Sequence, residues 1–310
     1  MRVGAIDLGT NSTRLLVADV IDGHVDEVER RLRITRLGEG VDERRRLLPV
    51  PIARVRNVLS DFRRLVEAAE VQRTLAVATS AVRDAENGEA FLGEIEWSYG
   101  FATRLLTGDE EARLTYRGVG AGRELDPRTL VVDVGGGSTE LIQADWHVSL
   151  DVGCVRLTER FGDDADAAGA YVESLLPELR APAAIGVAGT VTSLAALDLG
   201  LVDYDPNRVH GHLLTVEAVE EQLERLRALP LEARRNVPGL EPERAPVIVA
   251  GAAVLRAVMH RYGLDAIEAS EHDLLHGVAL AAAELPEQAA DGAAGAGTWG
   301  DAPPGAYTCC

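Results

Sequence analysis

Lysine is absent from the 310-residue sequence, and all 31 basic side chains are arginine. A Walker A phosphate loop, a kinase-type β3 lysine and a Schiff-base lysine all require that ammonium group, so those three chemistries are excluded. Aromatic residues make up only 4% of the chain, so its 46% hydrophobic content must form cores from Val, Leu, Ile and Ala. Cysteine occurs three times, twice as the adjacent Cys309 and Cys310. That is no disulfide framework. His210 and His212 stand close together but have no cysteine at ligand spacing, so a zinc site is not indicated. No apolar run reaches the ~18 to 20 residues of a membrane span. The N-terminal stretch MRVGAIDLGTNS meets Asp7 too early for a secretory signal. A cytoplasmic protein is the expectation.

Positive charge is outnumbered. The net charge of −19 argues against nucleic acid or an anionic membrane as a partner of the whole surface. A local anion site built from backbone amides, arginines and a metal ion remains open. At roughly 150 residues per domain, the length suggests two domains.

What is present is a repeat. Ile6-Asp7-Leu8-Gly9-Thr10-Asn11-Ser12-Thr13-Arg14-Leu15 aligns without gaps to Val132-Asp133-Val134-Gly135-Gly136-Gly137-Ser138-Thr139-Glu140-Leu141, and the match runs on to Asp19 and Asp145. Two such copies suggest duplicated domains that face each other. Each copy reads as strand, tight glycine turn, strand. A dinucleotide loop would need a final glycine and a helix behind it, and here Glu140 and a strand follow instead. A plain hairpin turn explains the glycines. It does not explain an Asp before them and Ser-Thr after them in both copies. Glycines let backbone N–H groups approach phosphate oxygens, and hydroxyls add donors. The aspartates Asp7 and Asp133 are suited to Mg²⁺, or Mn²⁺, opposite those phosphates. The two hairpins would grip a chain of phosphates from both sides.

Other segments have two readings each. Ala184 to Gly189 reads as a strand, with a helix from near Thr192 to Leu199, and Gly189 with Thr190 is a candidate phosphate turn. Val247 to Ala250 reads as a strand, with Gly251 opening a helix to about Arg261; close packing or phosphate binding would both account for Gly251. A packing helix is expected at about 52–69, and a strand at Leu75 to Thr79. Arg83, just past that strand, is either a surface arginine or a bidentate phosphate clamp. In Thr107-Gly108-Asp109-Glu110-Glu111-Ala112 a capping box accounts for one glutamate. The pair also lies at the junction between halves, where a general base would sit, and both readings stand. His210 beside Gly211 is either structural or a phosphate donor. The composition after about Leu285 is that of a disordered tail.

Taken together, these residues resemble the exopolyphosphatase and guanosine pentaphosphate phosphohydrolase family, within the actin, sugar-kinase and heat-shock ATPase superfold. The resemblance rests on Asp7 to Ser12, Ala78 to Arg83, Thr107 to Ala112, Asp133 to Glu140, Ala188-Gly189-Thr190 and Val209-His210-Gly211. It covers essentially the whole chain up to about residue 280, in a short two-domain form. It implies an α/β fold of two duplicated actin-like, ribonuclease-H-like domains around a cleft, at 1–124 and 125–285, with the tail at 286–310. It also implies Glu111 as the base, Asp133 and Glu140 in magnesium and water positioning, and Arg83 on a phosphate. The expected site is then Glu111 and Glu140 as catalytic groups, with Asp7, Asp133 and Glu140 on the metal. Phosphate would be bound by Gly9, Thr10, Asn11, Ser12, Thr13, Arg83, Gly135, Gly136, Gly137, Ser138, Thr139, Gly189, Thr190 and His210.

The chain departs from the family pattern at Leu274-Leu275-His276-Gly277, where many members have Leu-Arg-Glu-Gly, and in having only arginine where many have lysine. The implied activity is magnesium-dependent release of terminal phosphate from inorganic polyphosphate by water, in a homodimer. Hydrolysis of pppGpp to ppGpp is the alternative with the same chemistry. A non-catalytic polyphosphate or (p)ppGpp sensor should have lost its acids, yet Glu111, Asp133 and Glu140 are all present. A sugar-kinase or actin-like ATPase would need an adenosine-binding segment near Gly251, which is compatible but unspecific.

Overall fold

The structure is a computed structural model that describes residues 1–286. Apart from Pro286, the tail expected at 286–310 lies outside the described residues. The first half contains β1 (Arg2–Leu8), β2 (Ser12–Ile21), β3 (His24–Ile34), β4 (Arg73–Ala78) and β5 (Ala102–Leu105). The second contains β6 (Leu130–Val134), β7 (Thr139–Gln143), β8 (Trp146–Leu150), β9 (Ala184–Val187), β10 (Leu213–Thr215) and β11 (Ala266–Ala269). The first sheet runs β3-β2-β1-β4-β5, and the second β10-β11-β9-β6-β7-β8. In each, an antiparallel three-strand meander is extended by parallel strands: β4 and β5 beside β1, and β9 and β11 beside β6. The second sheet therefore repeats the first and adds β10 at its edge. The duplicated α/β architecture implied by the sequence is present.

The central strands are apolar because both faces are covered. Val3 to Leu8 and all of β6 are buried, Asp7 and Asp133 included. β3 is the opposite case, an edge strand carrying charged side chains, which discourages pairing with another chain. The expected packing helix is Pro49–Ala68, with Val55, Leu59, Phe62 and Val66 buried at helical spacing.

Two helices change sides. Leu274–Glu284, last in the described chain, lies on the first sheet, where Leu275, Val278 and Ala282 join Val3, Ala5, Leu16 and Val77. Gly108–Val119 lies on the second sheet, where Ala112 and Val119 meet Val131, Ile142 and Val187. The two helices touch at glycines. A Cβ on Gly118 would stand 1.9 Å from Asp273 O, and one on Gly277 1.9 Å from Leu114 O.

Two local expectations are corrected. Val247 to Ala250 is not a strand: a single helix spans Ile248–Tyr262, and its first eight residues, Ile248 to Leu255, are all buried. A short, wholly buried apolar run lacks the periodicity that separates strand from helix. The helix after β9 begins at Ala188 rather than near Thr192, so Gly189 and Thr190 form its first turn. No helix among the described residues is long and apolar enough to cross a membrane.

Candidate active site

The repeat folds into two equivalent hairpins. Gly9 N donates to Ser12 O at 3.0 Å, and Gly135 N donates to Ser138 O at 3.0 Å. In register, Asp7 lies opposite Arg14, and Asp133 opposite Glu140. The turns face each other and meet. A Cβ on Gly136 would stand 3.0 Å from Thr10 Cβ, and one on Gly137 2.2 Å from Ser80 Oγ. Only a residue without a side chain lets the second turn come this close to the first. Thr10 Oγ1 and Ser80 Oγ share a hydrogen bond of 2.8 Å at the junction.

The hairpins border a cleft of about 610 Å³. Of the expected residues it gathers Asp7, Gly9, Thr10, Asn11, Ser12, Glu111, Asp133, Gly135, Gly136, Gly137, Ser138, Gly189 and Thr190. The first turn of the Ala188–Asp198 helix points into it. Ala188 there has φ +66°, a left-handed conformation uncommon for a non-glycine residue and typical of constrained sites.

The remaining expected residues stand off the cleft wall. Thr13 Oγ1 bonds Thr35 Oγ1 at 2.9 Å, and Thr139 Oγ1 donates to Val152 O, so both hydroxyls are engaged within the fold. Glu140 is fully buried and accepts a 2.6 Å hydrogen bond from Ser149 Oγ. Arg83 Nη1 donates to Leu106 O at 2.8 Å and to Glu111 Oε2 at 3.3 Å. His210 packs against His272, with ring centroids 4.7 Å apart, and its Nδ1 accepts from Glu271 N.

The capping box and the candidate base are separate residues. Thr107 and Glu110 form the reciprocal cap of the Gly108–Val119 helix, so Glu110 is engaged at the surface. Glu111, next along the helix, is turned inward and buried at the cleft.

Burial, together with the charges of Glu140 and Asp133, holds the Glu111 carboxyl well above its ordinary range, against the opposing pull of Arg83. Burial and then Glu140 and Asp273 do the same to Asp133. Burial also raises Glu140, moderated by the Ser149 hydroxyl, and raises Asp7, moderated by Arg14. For Asp273 burial is outweighed by Arg14 and Arg30, and its carboxyl is lowered.

So many buried acids want a cation. Asp7 Oδ1 and both polar atoms of the Asn11 side chain are buried without a hydrogen-bond partner. Asp7 Oδ1 and Asn11 Oδ1 are hard oxygen donors of the kind Mg²⁺ or Mn²⁺ takes, while Asn11 Nδ2 can only donate, as to a phosphate oxygen. Among the described residues no three His, Cys, Asp or Glu side chains converge as a metal cage. The expected trio Asp7, Asp133 and Glu140 therefore does not enclose an ion by itself, and an ion here would draw its other ligands from water and phosphate.

Arg14 and Asp273 are parts of the site that sequence reasoning passes over. Arg14 Nε donates to Asp7 Oδ2 at 2.9 Å, and its Nη1 bonds Asp273 Oδ2. Arg14 fills the repeat position held by Glu140 in the second copy, and that charge reversal was the available signal. Asp273 caps the Leu274–Glu284 helix, and Arg30, Tyr204 and Arg244 line the outer cleft; no local motif marks them.

Comparison with known proteins gives matches over most of the chain. The profile of the Ppx/GppA phosphatase family matches residues 16–285. Exopolyphosphatase 2 of Mycobacterium tuberculosis is 38% identical over 91% of this chain and 98% of its own length. A crystallised exopolyphosphatase-like protein superposes with a TM-score of 0.84 at 34% identity, covering 90% of this chain and 98% of that one. A Ppx/GppA family member from Aquifex aeolicus gives a TM-score of 0.75 at 31% identity, covering 92% of this chain and 99% of that one.

Proposed function

The chain belongs to the Ppx/GppA phosphatase family, and from that premise we propose that it is an exopolyphosphatase, releasing the terminal phosphate of inorganic polyphosphate by attack of water. The observation that carries this reading is the set of buried, proton-avid carboxylates at a cleft floor where two glycine hairpins meet.

In this reading the terminal phosphate rests against the turns Gly9 to Ser12 and Gly135 to Ser138 and the helix start at Gly189 and Thr190. Backbone amides and hydroxyls there meet the phosphate oxygens. Asp7 and Asp133 would hold Mg²⁺ or Mn²⁺ together with water and phosphate oxygens, and the ion when bound offsets the charge of the transferring phosphoryl group. Glu140, buried behind the wall on Ser149, would act only through its charge on Asp133. Glu111 orients a water for in-line attack and takes its proton, a task that a carboxylate with raised proton affinity performs better near neutral pH. The leaving group is the chain shortened by one phosphate. Arg83 holds Glu111 in the resting site, and as a phosphate contact it would first have to leave Leu106 O and Glu111. Thr13, Thr139 and His210 have no step in this mechanism. The halves 1–124 and 125–285 act as its two jaws, with the exchanged helices tying them together. We expect a cytoplasmic homodimer, which sedimentation of the purified chain would test.

Phosphate release with Mg²⁺ is to be compared for long-chain polyphosphate, tripolyphosphate, pppGpp and ATP. Release chiefly from polyphosphate is expected. Release confined to pppGpp would give this same machinery the nucleotide substrate. Binding without release from any of the four would make the protein a sensor and end the enzyme reading.

A further inference from the structure

Three successive carbonyls of the second hairpin are held from behind. Gly135 O accepts from Cys154 N at 3.0 Å, and Gly136 O from Val155 N at 2.8 Å and Arg156 N at 3.2 Å. Gly137 O accepts from Arg156 Nε at 2.9 Å. Every described peptide bond is trans, so each N–H points away from the carbonyl it shares a plane with. The amides of Gly136, Gly137 and Ser138 are therefore turned away from the Cys154–Phe161 helix, and all three residues line the cleft. None of the three amides donates to a protein acceptor among the described residues.

The first two carbonyls are held by main-chain amides, which any sequence supplies. The third depends on one side chain. That guanidinium also bonds Asp42 and, at 2.6 Å, Asp84, and both acids belong to the first half. Asp84 caps the short Ser80–Arg83 helix, whose Ser80 bonds Thr10 and touches Gly137. One turn further along, Glu159 accepts from Gly40 N at 3.0 Å. In the first hairpin the equivalent carbonyl, Asn11 O, takes Thr35 N and Arg36 N, so no side chain is involved.

We propose that Arg156 is a positioning residue: it fixes the Gly137–Ser138 peptide with the Ser138 N–H toward the phosphate, and ties that orientation to contact between the two halves through Asp42 and Asp84. The proposal rests on the reading of the cleft as a phosphate-binding site. Lysine cannot replace Arg156, because a single ammonium lacks the planar fork that serves three partners in three directions.

The test uses the full-length chain in two arms. In the first, kcat and KM for polyphosphate are measured with Mg²⁺ for wild type, Arg156→Met, Arg156→Lys and Asp42→Asn. Loss of one preorganised donor lowers kcat by about 10²-fold, and that loss is expected for both Arg156 variants. Asp42→Asn changes an isosteric, half-exposed group and should fold normally, with a several-fold lower kcat. In the second arm the ¹⁵N amide shift of Ser138 is followed on adding tripolyphosphate in a Glu111→Gln background. A shift present with Arg156 and absent in Arg156→Met is expected. Unchanged kcat in Arg156→Met and Asp42→Asn, or an equal Ser138 shift with and without Arg156, would overturn the proposal. If wild type releases no phosphate while the Ser138 shift still depends on Arg156, the enzyme reading fails and this one stands.

Discussion

The two hairpins share a turn, a register and an aspartate at the end of the first strand, yet their charges are opposed. Asp7 faces Arg14 across its ladder and is an ion-paired carboxylate with one oxygen free. Asp133 faces Glu140, so two acids share a buried ladder position: burial and then Glu140 raise the proton affinity of Asp133, and burial with the charges of both raises that of Glu111. A duplicated element has thus been made into an anchored side and a charge-deficient side. On the anchored side Arg14 offsets most of the charge and a single Asp7 oxygen is left without a partner. The other side is stabilised when a cation or protons offset its charge, which is the condition the proposed mechanism uses.

The sharpest way to break this asymmetry is to neutralise each aspartate in turn. Asp133→Asn is expected to lower the rate of phosphate release by about 10³-fold, in the range found for loss of a principal electrostatic stabiliser. Asp7→Asn should cost about tenfold less, because Arg14 already pairs with one of the two Asp7 oxygens. Equal losses at the two positions would show that the hairpins are functionally symmetric after all.

Removing the anchor is next. Arg14→Met leaves Asp7 and Asp273, both nearly fully buried, without their common partner. Breaking a buried ion network on one side costs about 3–5 kcal/mol, and urea unfolding should show a loss of that size. A loss under about 1 kcal/mol, the scale of an exposed pair, would show that water reaches these acids.

The smallest effect is the pH dependence of stability. Glu111, Asp133 and Glu140 have folded-state proton affinities raised above those of the unfolded chain. Their contribution to stability is full below the ordinary carboxylate range and is lost as pH rises through the raised folded values. Without divalent cation, the melting temperature should therefore fall on going from mildly acid pH toward neutrality. Added Mg²⁺ should restore it, most of all at the higher pH. Asp273 has the opposite sign and offsets only part of this. A melting temperature independent of Mg²⁺ at neutral pH would remove the cation from the cleft.

How much of this was legible in sequence depended on distance along the chain. The hairpins are readable because each Asp, its glycines and its Ser-Thr are local, and because the string occurs twice. Arg14 lies inside that string, but its meaning comes from Asp273, 259 positions away. Arg156 is 114 positions from Asp42 and 72 from Asp84, and nothing in its neighbourhood marks it. Thr13 and Thr139 show the converse. They sit at the expected motif positions, yet strand alternation turns their hydroxyls to Thr35 and Val152. The helix at Ile248–Tyr262 was misread at its start because a segment buried on every side shows neither period. The exchange of the Gly108–Val119 and Leu274–Glu284 helices is a tertiary fact that rests on Gly118 and Gly277. A glycine in a helix does not disclose what will pack on it.

The central claim is that Glu111, held inward by the helix whose cap is the separate residue Glu110, deprotonates the attacking water. Its most direct test is the rate of phosphate release from polyphosphate with Mg²⁺ for Glu111→Gln against wild type, with circular dichroism and tripolyphosphate affinity measured on the same samples. The prediction is a loss of about 10²- to 10⁴-fold in kcat, the range of general-base catalysis, with fold and affinity retained. Glu111→Gln turning over at the wild-type rate would contradict the account.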